Sequence, residues 1–359
     1  MSEVDEKVER ACHRLVEECT AVKTGEVCLL VKDLDTSVLH RELQSAILWA
    51  GGIPLVLGLP TGVYLCGSLP EGVEASLRSA DVVYLCTSGL FPHAARKRAM
   101  QAGARVLSLG KVSDEMLPRL DVDYRELARV TRDVVEAFSH TAEIRITSPA
   151  GTNIHMQVKD QPVVSFDGLA REPGSASVVP AGVVATLPVP GTVEGTVVLD
   201  ASVATIGLLS EPVALTVRKG RVTKIEGDEA AEKLQQMLER ADDNARCIAE
   251  TGLGTNPRAT YIGNMVEDER VRGSAHIGLG GNVQLGGTIE SAVHIDATMR
   301  RPSVFLDGNS VVRDGALLVY ATAGTPQVRR RCDIERRVSE DPLGGAVHQP
   351  QPRGERARE

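Results

Sequence analysis

The chain has 359 residues, of which 42% are hydrophobic and 25% charged, a mixture that allows an ordinary globular protein with a sizeable core. Its formal net charge is −8 and its aromatic content is 3%. An acidic chain with so few rings lacks the attraction for phosphates and the stacking surface that nucleic-acid binding needs, and it has no general attraction for anionic membranes.

No apolar run approaches the ~20 residues of a membrane span, and the N-terminus has no signal-peptide pattern. The seven cysteines are scattered and form no C-x-x-C pair, which is typical of reduced structural thiols. We therefore expect a cytoplasmic protein.

Short apolar runs alternate with helical patterns from about residue 25 to residue 140. The alternation places strands at 27–31, 53–57, 81–86 and 105–109, with helices between them. This order predicts an N-terminal domain over 1–140 with an open, mostly parallel α/β sheet. No G-x-G-x-x-G loop follows the first strand and no Walker loop occurs, so we expect no nucleotide cofactor.

The pattern changes near residue 140 to strand-like runs separated by turn signals. One helix is predicted within this part, over 228–250, because apolar residues recur there at helical spacing. Residues 141–335 are thus predicted to form a β-rich α+β domain that carries a metal site. Residues 336–359 are rich in Pro, Gly and Arg and have no periodicity, so we expect a disordered tail.

The run SAVHIDATM (291–299) carries the most informative pair of polar residues. If it forms a strand, His294 and Asp296 lie on one face while Ile295 enters the core. One imidazole and one carboxylate on a stiff strand are half of a typical catalytic metal site.

Three further residues with metal-ligand chemistry lie just before this run. His276 is predicted on a neighbouring strand, joined to the first by a Gly-rich loop, and Glu250 is expected at the end of the predicted helix. Glu269 lies between them. A strand histidine is usually hydrogen-bonded in a core and a helix-end glutamate is usually solvated, but together these residues predict a divalent-metal site.

Four stretches resemble one superfamily: AETGLGTNP (249–257), EDERVRGSAHIGLGG (267–281), SAVHID (291–296) and VPAGVVATLPVPGTVEGTVVLD (179–200). They are similar to the thermophilic leucyl aminopeptidases and to their relatives, the iron-dependent 2,5-dihydroxypyridine dioxygenases. The resemblance covers most of residues 140–315. It implies a metalloenzyme that forms a homodimer.

The aminopeptidase resemblance implies two divalent metals, with ligands at Glu250, at Glu269 or its neighbours Glu267 and Asp268, and at His276, His294 and Asp296. The chain departs from that pattern at two places. Gly182, Val183 and Val184 stand where the peptidases have another metal-binding Glu, and Val283 stands in place of a Tyr.

The dioxygenase resemblance implies one iron held by two histidines and one aspartate. His294 and Asp296 match two of these ligands, whereas the other histidine falls at Glu250 and that pattern has no counterpart of His276. By residue type, however, His276, His294 and Asp296 form the two-His-one-carboxylate set of non-haem Fe(II) oxygenases.

The ligand identities favour a metal-dependent hydrolase of the aminopeptidase type. In this hypothesis Zn, Co or Mn, held by Glu250, His276, His294 and Asp296, activates water towards an amide of a small molecule or short peptide, with Glu250 or Glu269 as general base.

Two alternatives stay open. The first is a mononuclear Fe(II) ring-cleaving dioxygenase, and the second is a non-catalytic binding module in which the metal only stabilises the fold. His93 lies one position out of register with a dioxygenase histidine, and we expect it to be an exposed residue at a helix start.

Overall fold

The computed structural model describes residues 3–318 except 34–37, 61–62, 64–68 and 90. The predicted tail at 336–359 lies outside the described residues. The α-helices within the described part are α1 (Glu3–Arg14), α2 (Val38–Trp49), α3 (Glu71–Ser79), α4 (His93–Gln101), α5 (Tyr124–Ser139), α6 (Glu229–Arg240) and α7 (Met265–Asp268).

The strands divide into three sheets. Those of the described part are β1 (Val27–Asp33), β2 (Ile53–Leu59), β3 (Val82–Cys86), β4 (Arg105–Ser108), β5 (Glu143–Thr147), β6 (Asn153–Gln157), β7 (Val163–Phe166), β8 (Ala176–Val178), β9 (Val183–Thr186), β10 (Glu194–Leu199), β11 (Ser202–Val203), β12 (Gly207–Leu208), β13 (Val213–Arg218), β14 (Arg221–Glu226), β15 (Ile248–Gly254), β16 (Ala275–Gly280), β17 (His294–Met299), β18 (Ser303–Leu306), β19 (Asn309–Arg313) and β20 (Ala316–Leu317).

The first sheet is parallel and has the strand order β2-β1-β3-β4-β8. Its central strands are apolar and buried on both faces, as expected where helices cover a parallel sheet. The predicted strands and helices of residues 25–109 are confirmed to within about two residues at each end. Strand β8 comes from beyond residue 140, so the chain returns to this sheet after the predicted domain boundary, which stays a prediction.

The other two sheets are antiparallel, with orders β14-β13-β10-β6-β5-β18-β19-β20 and β12-β11-β17-β16-β15-β9-β7. In β5 and β6 buried and exposed side chains alternate, so one face of that sheet is solvated, whereas β15 and β16 are buried throughout. One apolar cluster joins both sheets with α5 and α6. The predicted fold class, a parallel α/β part followed by a β-rich α+β part, is confirmed.

The prediction of a single helix over 228–250 is wrong. Helix α6 ends at Arg240, and a short 3-10 helix, Asp243–Arg246, follows before β15 begins. The physical reason is local: the Asp242 side chain accepts a hydrogen bond from the Asn244 backbone at 2.9 Å, which offers the chain an alternative to continuing the helix. Glu250 therefore lies inside a strand and not at a helix end.

Among the described residues no helix is long and apolar enough to cross a bilayer.

Candidate metal centre

The candidate metal centre lies on the three neighbouring strands β15, β16 and β17. Their register places Glu250, Gly278 and Asp296 side by side, one on each strand. A Cβ atom on Gly278 would lie 3.0 Å from Asp296 Oδ1, from Glu250 Cβ and from His294 Cε1. The side chains of Glu250, His294 and Asp296 thus converge over a glycine whose missing side chain leaves room for them.

The distances within this group are short. His294 Nε2 lies 3.2 Å from Glu250 Oε2 and 3.1 Å from Asp296 Oδ1. One potential ligand atom from each residue falls within 4.8 Å of the others, a spacing at which one metal ion can contact all three. The side chain of His294 is 35% exposed and that of Glu250 only 9%, so the group opens to solvent on the His294 side.

The chemistry of these donors fits a divalent metal. His294 Nδ1 lies 2.7 Å from the Gly281 carbonyl, and donation to that oxygen directs Nε2 towards the carboxylates, which is how metal-binding histidines are oriented. Asp296 Oδ1 is buried and accepts no hydrogen bond of good geometry from any described residue. A buried carboxylate oxygen in that state needs a cation or another donor.

The protonation of the metal-free group follows from its charges. Burial acts to raise the pKa of Glu250, but hydrogen bonds from His276 and His294 outweigh it and hold that pKa well below its usual range. Burial acts to lower the pKa of His294, yet the adjacent carboxylates of Asp296 and Glu250 raise it to about 11. A metal ion that binds His294 must therefore compete with a proton that the two carboxylates favour on the same imidazole.

His276 lies behind Glu250 and outside the three-residue group. Its ring is completely buried, and Nε2 is 3.2 Å from Glu250 Oε1. The ring occupies the space over Gly252 on the neighbouring strand, where a Cβ atom would lie 2.4 Å from His276 Cε1. The sequence-based prediction of neighbouring strands for His276 and His294 is confirmed, but only His294 reaches the group.

Glu269 and the two acidic residues before it also lie outside the group. Glu269 follows α7 and forms an ion pair with Arg270. Glu267 accepts a bidentate hydrogen bond from Arg119, and Asp268 accepts one from the Ile262 backbone at 2.8 Å. The role of Glu269 as a general base stays a prediction.

Arg270 is a buried charged residue near the candidate ligands in sequence that sequence reasoning did not single out. It is almost completely buried, and its Nε donates to the Pro180 carbonyl at 3.1 Å. Burial lowers the pKa of Arg270 to about 10, while the negative charges of Asp296 and Glu250 act in the opposite direction. The guanidinium therefore remains a cation, and the charges of Asp296 and Glu250 act on it. The only sequence signal is its place between the acidic run 267–269 and β16.

His93 is the first residue of α4 and is exposed. The expectation of an exposed histidine at a helix start is confirmed.

A family model described as NicX: 2,5-dihydroxypyridine 5,6-dioxygenase matches residues 66–319. The chain belongs to this family. A Pseudomonas putida protein named 2,5-dihydroxypyridine 5,6-dioxygenase is 27% identical to it over 267 residues, which are 70% of this chain and 74% of that protein.

Solved structures share the fold of this NicX-family chain. The 2,5-dihydroxypyridine dioxygenase from Pseudomonas putida KT2440 superposes with a TM-score of 0.75 at 21% identity and covers 89% of this chain and 99% of its own. Wild-type AmpT from Thermus thermophilus superposes with a TM-score of 0.62 at 15% identity and covers 88% and 100%. The superfamily resemblance seen in the sequence is therefore confirmed.

The preference for an aminopeptidase-type hydrolase is wrong. The family match and the named relative both point to the dioxygenases, and the likeness to AmpT, at 15% identity, shows the fold alone. The departures at Gly182, Val183 and Val184 carried this information: β9 begins there with buried apolar side chains where the aminopeptidase resemblance implies a metal-binding Glu. Residues that can bind a metal led the sequence-based prediction to the wrong activity, because the aminopeptidases and the dioxygenases use one scaffold. That the family is one of enzymes agrees with the sequence-based expectation.

Proposed function

We propose that this protein is a metal-dependent dioxygenase that opens the ring of a small dihydroxylated pyridine. The observation that carries the proposal is the convergence of His294, Asp296 and Glu250 on adjacent strands in a chain of the NicX family. An imidazole with carboxylates suits Fe(II), Mn(II) and other first-row divalent ions.

His294 Nε2 and Asp296 Oδ1 would hold the metal, with Glu250 beside them. When bound, an iron ion supplies the redox chemistry through which dioxygen reacts with an electron-rich ring. The Gly281 carbonyl keeps the His294 ring oriented, and the buried cation of Arg270 offsets part of the negative charge of the carboxylates. That positive charge favours a substrate whose ring hydroxyl has lost its proton.

Oxygen uptake tests this proposal. The protein is loaded with Fe(II) under anaerobic conditions and mixed with air-saturated buffer and 2,5-dihydroxypyridine while dissolved oxygen is recorded. We expect one dioxygen per ring opened, and with ¹⁸O₂ both labelled atoms in the product, because a dioxygenase transfers both oxygen atoms. His294→Gln should abolish uptake.

The matched control is His155→Gln, since His155 is an exposed histidine on β6. Loss of the ring absorbance without oxygen consumption, or no reaction with a panel of dihydroxypyridines by protein that contains iron, would contradict the proposal. The homodimer implied by the sequence resemblance stays a prediction.

A further inference from the structure

We propose that Glu250 is the third protein ligand of the metal and that His276 holds it in position, so that the site offers one imidazole and two carboxylates. The inference rests on the proposed function only in assuming that a divalent ion binds here. It differs from the set that residue types alone favour, which is His276 with His294 and Asp296.

The two oxygens of Glu250 have different surroundings. Oε2 lies 3.2 Å from His294 Nε2, on the side where the ligand atoms converge, and Oε1 lies 3.2 Å from His276 Nε2 on the opposite side. A hydrogen bond to one oxygen fixes the rotation of the carboxylate and leaves the other oxygen aimed into the site. Ligating carboxylates are commonly held in this way by a residue that does not touch the metal.

His276 is poorly placed to be a ligand itself. Its ring is completely buried over Gly252, its Nε2 lies 3.2 Å from Glu250 Oε1, and it does not belong to the set of ligand atoms that lie within 4.8 Å of one another. Glu250 therefore stands between this imidazole and the side chains of His294 and Asp296. For His276 to bind the same ion, Glu250 would first have to leave the position that it occupies.

The charge of such a site differs from that of a two-histidine site. With His294 neutral, the two carboxylates carry two negative charges, which balance a divalent ion, whereas two imidazoles and one carboxylate leave one positive charge uncompensated. Two oxygen donors and one nitrogen donor also form a harder ligand set than two imidazoles and one carboxylate, and Mn(II) prefers hard oxygen ligands. We therefore expect good Mn(II) binding, which gives a spectroscopic probe that is independent of turnover.

The experiment measures Mn(II) binding to the full chain by electron paramagnetic resonance and counts coordinated imidazoles by electron spin-echo envelope modulation. The expected count is one for the wild-type protein, one for His276→Gln and two for Glu250→His. We expect the His276→Gln substitution to weaken Mn(II) binding about tenfold, as loss of a supporting hydrogen bond does. Glu250→Gln, which keeps the shape of the side chain, should weaken binding further.

His155→Gln is again the matched control and should bind like the wild type, and circular dichroism establishes that each variant is folded. Two imidazoles in the wild type that fall to one in His276→Gln would overturn the proposal, as would Mn(II) binding that Glu250→Gln leaves unchanged. One imidazole without oxygen uptake would support this ligand set and count against the dioxygenase. Two imidazoles together with oxygen uptake would count against this ligand set and support the dioxygenase.

Discussion

Charged side chains are buried at several places among the described residues, and two of these places differ in how completely the charge is compensated. Arg105, at the start of β4 in the parallel sheet, is 4% exposed. It pairs with Glu26 and donates to the carbonyls of Thr20 at 2.9 Å and Ala21 at 3.1 Å. Its charge and its hydrogen-bonding groups are thus matched within the protein itself.

The carboxylates of the candidate metal centre, on β15 and β17, are not matched in this way. Glu250 and Asp296 share the imidazole of His294, and Asp296 Oδ1 has no well-aligned donor among the described residues. Breaking a fully partnered buried ion pair destabilises a protein because it leaves a buried charge without compensation, whereas a group of like charges with incomplete partners is a candidate site for a cation. What distinguishes Arg105 from the carboxylates of Glu250 and Asp296 is therefore how many of the charges and hydrogen-bonding atoms have a partner within the protein.

Removing the partner of Arg105 should have the largest effect on stability. We expect Glu26→Gln to lower the free energy of unfolding by about 3 kcal/mol, because it leaves a buried cation without its counter-charge. Urea denaturation measures the change. Glu3→Gln, which breaks an exposed i,i+4 pair with Lys7, is the control and should leave the midpoint unchanged. Equal midpoints for both variants would mean that the Thr20 and Ala21 carbonyls suffice.

Supplying a cation to the candidate metal centre should have a slightly smaller effect on the free energy of unfolding. At a free Mn(II) concentration of about 100 times the dissociation constant, the folded state gains roughly 2.7 kcal/mol by mass action. Differential scanning calorimetry should show a rise in melting temperature for the wild-type protein and none for Asp296→Asn. A similar rise in both proteins would place the bound ion elsewhere.

Filling the space over Gly278 should give the smallest free-energy change of the three, and the change is in Mn(II) binding. A Cβ atom there would lie 3.0 Å from three atoms of the metal-binding side chains, so these must move by a few tenths of an ångström. We expect Gly278→Ala to weaken Mn(II) binding about tenfold, or roughly 1.4 kcal/mol. Gly72→Ala is the control, because no atom lies within 4 Å of the added carbon. Unchanged binding would show that the site tolerates looser geometry than proposed.

The sequence predicted those features that depend on neighbouring residues. The apolar runs gave the strands and helices of the parallel sheet, and the two-residue spacing of His294 and Asp296 placed them on one face of a strand. The sequence-based prediction failed where a side-chain hydrogen bond competes with the helix. Asp242 interrupts the helical pattern, and Glu250 was consequently assigned to the wrong element.

The remaining features depend on pairing between distant segments. Which residue of β15 lies beside Gly278 is decided by sheet register, and a shift of one residue would turn Glu250 to the opposite face. For the same reason the separation of His276 from the three-residue group could not be read from spacing along the chain. The sequence supplied the candidate ligands, and the structure was needed to place them relative to one another.

The glycine beneath His276 has a consequence for how this site can evolve. A Cβ atom at Gly252 would lie 2.4 Å from the Val184 carbonyl oxygen, so the close approach of β9 requires a glycine there whether or not the histidine is present. Packing of the sheet thus keeps open, over Gly252, a space large enough for an imidazole ring. Because His276 Nε2 contacts Glu250 Oε1, a substitution at either position changes which side chains the other position tolerates. We expect residues 250 and 276 to covary among homologues while position 252 stays constant.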